Sequence, residues 1–570
     1  MVNVKNLFGM AVMATALVGC SSSDDLTPNG NEGNQTGEAY ASFRINLPTT
    51  SGTRADAEGT PTFENGDKNE YAVKDAVLLL FQKNTSGEFI FKEYVDLGNM
   101  EPWTASGTNG ITTTAKLTAK IKNAEVGANK GYYALIVLNN NSETAPKISY
   151  PSVGQTYAAW SQDEANATAN YLKYDNGFFM ANAPKFVAGA PETLVEIKNI
   201  YASKQQAENS TATTVYVERG LAKVSLASTS AKHVDIADGN YAGDKVDIEG
   251  WTLDVTNTKT YPVHVTEGLW ADTWKTTVTP AAPNGATMDR FHDTKLTSEF
   301  PRVYWGLDPN YSTDFASVAD CEGEFTMATK SNFKTGDEAK KAQYCLENTF
   351  DIDHMVQGQT TRVLFSAKYT PNGFTAGETF YKFGNSPKLW HAADVVAQIK
   401  AKAQEVLGEA DADKVTVTLA AEGNDMTKSG VRLVAAANIT YGTTALRTEQ
   451  VDQINAKLGF KKATSTDAAV GLSTYESGVS YYVARVKHFN ELTPWNPGDK
   501  TYDGNNANWL GRYGVLRNNW YELSVSSVSG PGYPDVPKVN PTVPDDENDQ
   551  YINVEVKILD WAKRSQSIDL

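Results

Sequence analysis

The sequence is poor in cysteine and histidine and lacks the short motifs of common enzyme active sites. Its 570 residues include three cysteines and six histidines. No two histidines stand three or four residues apart, so none forms a helical pair of metal ligands. Gly-x-Ser-x-Gly, Walker A, Gly-x-Gly-x-x-Gly and His-Glu-x-x-His sequences are all missing. The sequence therefore predicts no enzyme, no catalytic residue, no cofactor and no metal site.

Two further absences narrow the class of protein. Lys and Arg number 51 against 68 Asp and Glu, a net charge of −17, which argues against a nucleic-acid partner because such binding relies on neutralised phosphates. The acidic stretch 235–240 lacks the alternating ligands and final Glu of a calcium-binding EF-hand loop, and we interpret it as a hairpin turn. Beyond the N-terminus, no stretch is apolar enough for a transmembrane helix.

The N-terminus carries a secretion signal. Lys5 precedes an apolar run over 7–18, which is too short to span a bilayer. The run ends in Leu-Val-Gly-Cys, followed by Ser-Ser-Ser-Asp-Asp, and this ending resembles a bacterial lipobox with Cys20 as the lipid-modified residue. We predict a lipoprotein signal peptide over 1–19 and an outer-membrane lipid anchor on the precursor. The alternative is an ordinary signal peptide with an incidental cysteine.

The other two cysteines, Cys321 and Cys345, would lie outside the cytoplasm, where a disulfide can form. A bridge would close a loop of about 25 residues and add roughly 3 kcal/mol. A disulfide and two buried free thiols both stay open at this point.

An alternating strand and an arginine loop follow a polar tether. Ala41, Phe43, Ile45 and Leu47 share one face, opposite Ser42, Arg44 and Asn46. Arg54 lies in the small-residue loop that follows, a preferred place for proteolysis. An Arg-specific protease cutting between Arg54 and Ala55 would remove residues 20–54 with the strand. The alternative is that Arg54 is only a solvated loop charge.

The body of the chain is predicted to be mainly β. We expect strands over 77–81, 88–97, 132–138, 215–227, 251–255, 303–305, 362–369, 415–419, 479–486 and 520–528. Amphipathic patterns predict inserted helices over 390–407 and 449–458. The polar stretch 203–214 is the predicted boundary between an N-terminal domain, 55–214, and a C-terminal domain, 215–529.

The C-terminal stretch 530–570 combines a spacer with an orphan strand. Residues 530–549 are rich in proline and acidic side chains, which predicts a stiff, solvated segment with little tendency to fold back. The next residues alternate again, with Ile552, Val554, Val556 and Ile558 on one face. Alternation alone allows this strand to belong to its own sheet or to that of another molecule.

Several stretches resemble the Mfa-type fimbrillins, the major shaft subunits of the type V pili of Porphyromonas and other Bacteroidales. They are the lipobox at Cys20, the first strand with Arg54, and the segments V-E-R-G-L-A-K-V (217–224), Y-C-L-E-N-T (344–349), Y-Y-V-A-R-V (481–486), V-L-R-N-N-W-Y (515–521) and V-E-V-K-I-L-D-W (554–561). The resemblance implies two transthyretin-like β-sandwich domains with a few inserted helices and a C-terminal donor strand. It also implies that an Arg-specific protease removes the first strand and that a neighbour's C-terminal strand replaces it.

The resemblance predicts a cell-surface fimbrium. The expected partners are further copies of the chain, anchor and tip subunits, the Arg-specific protease, and receptors on host or bacterial surfaces. A cleavable first strand together with a donor-like tail suits the shaft, since a tip needs no donor and an anchor needs no cleavage. The alternatives are a monomeric surface lipoprotein that binds glycan or host protein, with its tail folded into its own sheet, and a pilus tip adhesin.

Overall fold

Strands dominate the part of the chain that the computed structural model describes. The described residues are 38–48, 63–64, 68–98, 104–105, 111–141, 145–188, 190–266, 302–311, 315–408, 412–419, 431–435, 438–462, 469–488, 510–541, 543–545 and 552–563. Cys20, Arg54 and Ala55 lie outside them. Within these ranges the mainly β prediction is confirmed.

The strands are numbered in chain order. The first are β1 (Ala39–Pro48), β2 (Phe63–Glu64), β3 (Ala76–Lys83), β4 (Phe89–Gly98), β5 (Thr104–Ala105), β6 (Ile111–Ile121), β7 (Gly127–Leu138), β8 (Met180–Asn182), β9 (Lys185–Val187), β10 (Ala190–Glu192), β11 (Val195–Ile200), β12 (Thr213–Arg219), β13 (Ala222–Leu226), β14 (His233–Asp235) and β15 (Lys245–Asp254). The others are β16 (Thr256–Asn257), β17 (Phe325–Thr326), β18 (Lys334–Thr335), β19 (Gln343–Cys345), β20 (Arg362–Thr370), β21 (Phe380–Phe383), β22 (Leu389–His391), β23 (Val415–Val417), β24 (Val431–Arg432), β25 (Ile439–Tyr441), β26 (Thr444–Ala445), β27 (Leu472–Tyr475), β28 (Val479–Arg485), β29 (Asn519–Val528) and β30 (Ile552–Lys563). The α-helices in the described ranges are α1 (Lys68–Tyr71), α2 (Tyr157–Ser161), α3 (Lys204–Asn209), α4 (Val318–Glu324), α5 (Ala392–Leu407) and α6 (Thr448–Lys457).

The first sheet has nine strands and surrounds the N-terminal core. Its order is β4-β3-β7-β8-β12-β1-β6-β5, and β11 also pairs with β7. The predicted strands 77–81 and 88–97 are confirmed as β3 and β4, which run antiparallel around a turn at Gly87. Asn84 stabilises that turn by accepting hydrogen bonds from the backbone N–H groups of Ser86 and Glu88.

The predicted strand 215–227 is wrong as a single element. It divides into β12, which belongs to the first sheet, and β13, which belongs to another sheet. Gly220 lies at the break, and a Cβ atom there would come within 2.5 Å of the Tyr171 ring. The close approach of this ring requires glycine at the crossing.

The predicted linker over 203–214 contains regular structure. Its residues include α3 and the start of β12, whose Thr213–Tyr216 stretch pairs with β1. The described residues from Glu38 onward fall within one compact unit, Glu38–Leu570. The division at 214/215 stays a prediction, and β12 crosses it.

The second core lies between two five-stranded sheets. One has the order β19-β13-β29-β30-β2, and the other has the order β14-β15-β20-β28 with β18 paired to β15. Side chains of both sheets meet in one cluster, which includes Val224 and Leu523 from the first and Phe365 and Tyr482 from the second. The predicted hairpin at 235–240 is confirmed, since β14 and β15 run antiparallel on either side of it. The predicted strand 303–305 is wrong, because this stretch belongs to none of the strands β1–β30.

Residues 371–478 are an insertion with a core of their own. β20 and β28, on either side of it, pair directly with each other. The insertion contains the sheets β22-β21-β27-β24 and β23-β25-β26. The two predicted helices are confirmed as α5 and α6, which bury Val395, Ile399, Val451 and Ile454 against these strands. Gly408 ends α5 in the left-handed conformation, with φ of +68°.

Candidate functional site

The N-terminal strand β1 is paired along both of its edges. It runs antiparallel to β6, with Phe43 opposite Leu117, and parallel to β12, with Ile45 opposite Val215. An interior strand satisfies the hydrogen bonds of two neighbours at once. Loss of β1 would therefore leave two strand edges unpaired, and such edges are templates for another extended chain.

One face of β1 is entirely buried. Ala39, Ala41, Phe43, Ile45 and Leu47 each expose 1% or less of their surface, and all belong to the N-terminal core. Burial of each large apolar side chain is worth about 1.5–3 kcal/mol. The vacated space would be a long apolar groove.

The opposite face of β1 is more buried than its polar residues suggest. The Ser42 hydroxyl donates a hydrogen bond of 2.6 Å to the carbonyl of Ala207 in α3, and it also contacts the Thr118 hydroxyl at 2.9 Å. Asn46 accepts a hydrogen bond of 2.7 Å from the Thr114 hydroxyl. Arg44 alone of the three polar residues on this face is exposed. Helix α3 covers this face, which the alternation could not reveal.

The C-terminal strand β30 lies in its own sheet in this structure. It runs antiparallel to β29, from Ile552 opposite Val528 to Asp560 opposite Asn519. Val554 packs against the second core. Near its end, β30 also pairs in parallel with β2. The monomeric alternative predicts this arrangement. To pair with another copy of the chain, the tail must first separate from β29 and β2.

The spacer before the tail folds back, so the prediction of a solvated segment is wrong for 530–541 and 543–545. Tyr533 and Tyr481 exchange backbone hydrogen bonds of 2.7 and 2.8 Å. The buried Arg362 guanidinium donates to the Pro537 carbonyl at 2.5 Å, and Val539 is only 3% exposed. Carbonyl groups of the proline-rich chain satisfy buried donors of the second sandwich, which composition does not show.

A buried polar cluster ties α1 to β13 and β19. The Glu70 carboxylate lies 2.7 Å from the Lys223 ammonium and accepts a hydrogen bond of 2.5 Å from the Tyr344 hydroxyl. Arg219 donates from Nε to the Glu70 carbonyl at 2.7 Å. Burial lowers the pKa of Arg219 to about 10, although the negative charge of Glu70 opposes this. We call Glu70, Lys223, Arg219 and Tyr344 the Glu70 cluster.

A second buried cluster joins β12 to the chain before β29. Glu218 contacts His264 at 2.6 Å and Arg302 at 3.4 Å. Burial would raise the pKa of Glu218, but the positive groups of His264, Arg302 and Arg517 outweigh burial and lower it. Glu347 and Arg517 form a buried ion pair beside them. Burial would lower the pKa of Arg517, but the Glu347 carboxylate raises it.

Both clusters are built from segments that carry the fimbrillin resemblance. Glu218, Arg219 and Lys223 come from 217–224, Tyr344 and Glu347 from 344–349, and Arg517 from 515–521. Their patterns predicted strands over 215–227 and 520–528 but no buried ion pairs. Charged residues inside otherwise apolar strand patterns could have indicated these clusters, because a charge in a buried strand needs a partner.

Cys321 and Cys345 are buried free thiols in two different hydrophobic clusters. Of the two alternatives left open above, the structure therefore has the free thiols. Burial raises the pKa of Cys321 to about 11 and that of Cys345 to about 12.

The two thiols should resist alkylation in the folded protein. We expect a chain that begins after Cys20 to react with iodoacetamide at pH 8 at least roughly a hundredfold more slowly when folded than in denaturant, because the thiolate is the reactive form. Mass spectrometry should find two labels per chain after unfolding without reductant. Labelling of the unfolded chain only after reduction would show that the disulfide forms.

The histidines of the described ranges lie in hydrogen-bonded pairs. The described part of the chain contains no group of three or more His, Cys, Asp or Glu side chains placed to hold a metal ion. Each histidine in the described ranges contacts at least one acidic or phenolic side chain, as in the pairs His233–Asp247, His354–Asp351, His391–Glu378 and His488–Tyr521. No helix among the described residues is long and apolar enough to cross a membrane.

The C-terminal region matches a known family. Residues 473–567, which include β28, β29 and β30, fit the family model described as major fimbrial subunit protein type IV, fimbrillin, C-terminal. The resemblance to fimbrillins is confirmed. No curated protein sequence matches this chain.

Solved structures similar to this fimbrillin-like chain have low sequence identity. A predicted cell adhesion protein from Parabacteroides distasonis is 10% identical with a TM-score of 0.38, over 92% of this chain and 99% of the other. A second such protein, from Bacteroides eggerthii, is 12% identical with a TM-score of 0.32, over 93% of this chain and 98% of the other. A fimbrial assembly protein from P. distasonis is 12% identical with a TM-score of 0.28, over 62% and 96%.

Proposed function

We propose that this protein is a structural subunit of a type V pilus shaft and polymerises by strand exchange. It is exported as a lipoprotein on Cys20 and cut between Arg54 and Ala55. The groove left by β1 then receives the C-terminal strand of another copy. The proposal is supported above all by β1, a buried interior strand joined to the rest of the chain through the segment that holds Arg54.

The tail has the side-chain pattern that this groove requires. Ile552, Val554, Val556 and Ile558 alternate as Ala41, Phe43, Ile45 and Leu47 do. Four apolar side chains at ~1.5–3 kcal/mol each contribute roughly 6–12 kcal/mol, and ordering the strand costs about 1–2 kcal/mol per residue. In its own sheet the tail pairs fully with β29 but meets β2 only near its end. In the groove it would be paired along both edges, as β1 is.

The two ends together favour the shaft over other positions in the filament. A tip subunit needs an acceptor groove but no donor, and an anchor keeps its lipid and its first strand. This chain has a removable first strand and an alternating tail. The mature protein would lie at the cell surface, in contact with further copies, with anchor and tip subunits, and with receptors on host or bacterial surfaces. No catalytic role is part of the proposal.

The decisive experiment treats the purified precursor with an Arg-specific protease and runs undenatured samples on a gel. A ladder of oligomers is expected from the wild-type chain and none from a chain that lacks residues 551–570. Arg54→Gln should block both cleavage and ladder. Arg44→Gln is the matched control and should leave both unchanged, because the peptide bonds of β1 are protected in the sheet. A persistent monomer after cleavage at Arg54 would refute strand exchange.

The position of β30 favours a second candidate, a monomeric surface lipoprotein that binds glycan or host protein. In that case the tail is the last strand of its own sandwich, as the pairing with β29 shows it here. Deletion of residues 551–570 would then destabilise the monomer. Labelling of surface filaments with an antibody separates the remaining possibilities, since a shaft subunit labels their whole length and a tip adhesin only their end.

A further inference from the structure

The strand β2 is the one described element that covers the outer edge of the tail. It pairs in parallel with β30, with Phe63 opposite Asp560 and Glu64 opposite Lys563. The opposite edge of β30 is occupied by β29. The tail is thus held between a long strand and a two-residue strand that lies nine residues after Arg54 in the sequence.

The chain on the C-terminal side of β2 is fixed by buried contacts. Glu70 follows Glu64 by six residues and is 1% exposed. Its carboxylate binds Lys223 and Tyr344, and its carbonyl accepts from Arg219. These partners belong to β12, β13 and β19, so neither β1 nor the tail makes any of the contacts named here.

On the N-terminal side of β2, the preceding described element is β1. Pro48 ends β1, and fourteen residues separate it from Phe63. Before cleavage β2 therefore belongs to a segment held at both ends, by β1 and by the Glu70 cluster. After a cut between Arg54 and Ala55, β2 keeps its covalent connection to the Glu70 cluster and loses its connection to β1. Holding both ends of a segment reduces its conformational freedom and favours a weak local pairing.

We propose that β2 is a latch that retains the C-terminal strand in its own sheet until the precursor is cut. The inference rests on the proposed function and adds its regulation. One cleavage removes the strand that fills the acceptor groove and weakens the pairing that retains the donor. In the precursor, whether in the periplasm or at the membrane, β1 fills the acceptor groove and β2 retains the donor strand. Association between copies before cleavage is therefore suppressed in two ways.

Hydrogen exchange measured by mass spectrometry on the monomer tests the latch. In the uncut precursor, amides of 559–563 should exchange at least about fivefold more slowly than after cleavage. The uncut double variant Phe63→Pro, Glu64→Pro should exchange as fast as cut protein, because proline removes the backbone donors that a paired strand uses. The control Phe63→Val, Glu64→Thr keeps these donors and should behave as wild type. Peptides of β20 over 362–370 provide the internal reference, because β20 pairs with β15 and β28 and not with the tail.

The same samples are run on the undenatured gel, so that failure of the latch and failure of strand exchange are distinguished. Faster exchange in the tail after cleavage without a ladder would support the latch and refute polymerisation by this strand. A ladder without any change in tail exchange, either on cleavage or in the double proline variant, would overturn the latch and leave strand exchange intact. An equal effect of the proline and control variants would also overturn it.

Discussion

Replacing Phe43 with alanine is expected to lower the free energy of unfolding of the uncut precursor by about 3–5 kcal/mol, as large-to-small changes in well-packed cores do. Phe43 is 0% exposed and lies at the middle of β1, between β6 and β12. Both neighbouring strands are paired at this point, so the cavity can close only by distorting the sheet. Urea unfolding monitored by intrinsic fluorescence measures the change.

The matched control is Arg44→Ala, at the exposed residue on the other face of the same strand, which should alter stability by no more than about 0.5 kcal/mol. The cut protein supplies a second control. Once residues 20–54 have left, proteins that started as wild type and as Phe43→Ala are identical and must be equally stable. A loss below about 1 kcal/mol in the uncut precursor would contradict the interior position of β1.

Replacing Arg517 with alanine is expected to lower the free energy of unfolding by about 3–5 kcal/mol, because Glu347 would be left as a buried charge without its main partner. Both side chains are buried, at 2% residual exposure each. Arg517 also donates to the Thr260 hydroxyl at 3.1 Å, and its carbonyl accepts a hydrogen bond of 2.8 Å from Arg302. The loss should appear in the precursor and in the cut protein alike, since β1 takes no part in these contacts.

Two comparisons separate a buried pair from a general effect of removing charge. Lys341→Ala breaks an exposed pair with Glu338 and should cost less than about 1 kcal/mol. The double change Arg517→Met, Glu347→Leu should be less destabilising than Arg517→Ala, because apolar residues of similar size leave no unpaired charge. If Arg517→Ala lowers the free energy of unfolding no more than Lys341→Ala does, the buried pair of Arg517 and Glu347 does not stabilise the fold.

The spacing of apolar residues predicted a strand or helix correctly where one face of that element packs against a single core. The alternation of 41–47 predicted β1, and the apolar spacing of 390–407 and 449–458 predicted α5 and α6. The tether and Arg54 lie outside the described residues, so the interpretation of the lipobox and of the cleavage site still depends on sequence alone. The fimbrillin resemblance also came from short segments, and the C-terminal family match supports it.

Local patterns failed wherever an element changes partner. The run 215–227 is uniformly strand-like, but a ring packed against Gly220 divides it between two sheets. The spacer has the composition of a solvated linker, but buried donors such as Arg362 find their acceptors in its carbonyl groups. Propensity describes one residue and its neighbours in the sequence, whereas these outcomes depend on contacts between residues 49 and 175 positions apart.

The sequence by itself determined a mainly β chain with alternating strands over 41–47 and 552–558, and it predicts that proteolysis removes the first of them. It could not decide which sheet the last strand joins, because alternation states that one face is apolar and not which core that face meets. The tertiary structure decided this, with β29 on one edge of the tail and β2 on the other. It also built the Glu70 cluster, which begins six residues after β2, from α1, β12, β13 and β19. The pairing of β2 with β30 connects two segments that are separated by nearly the whole sequence.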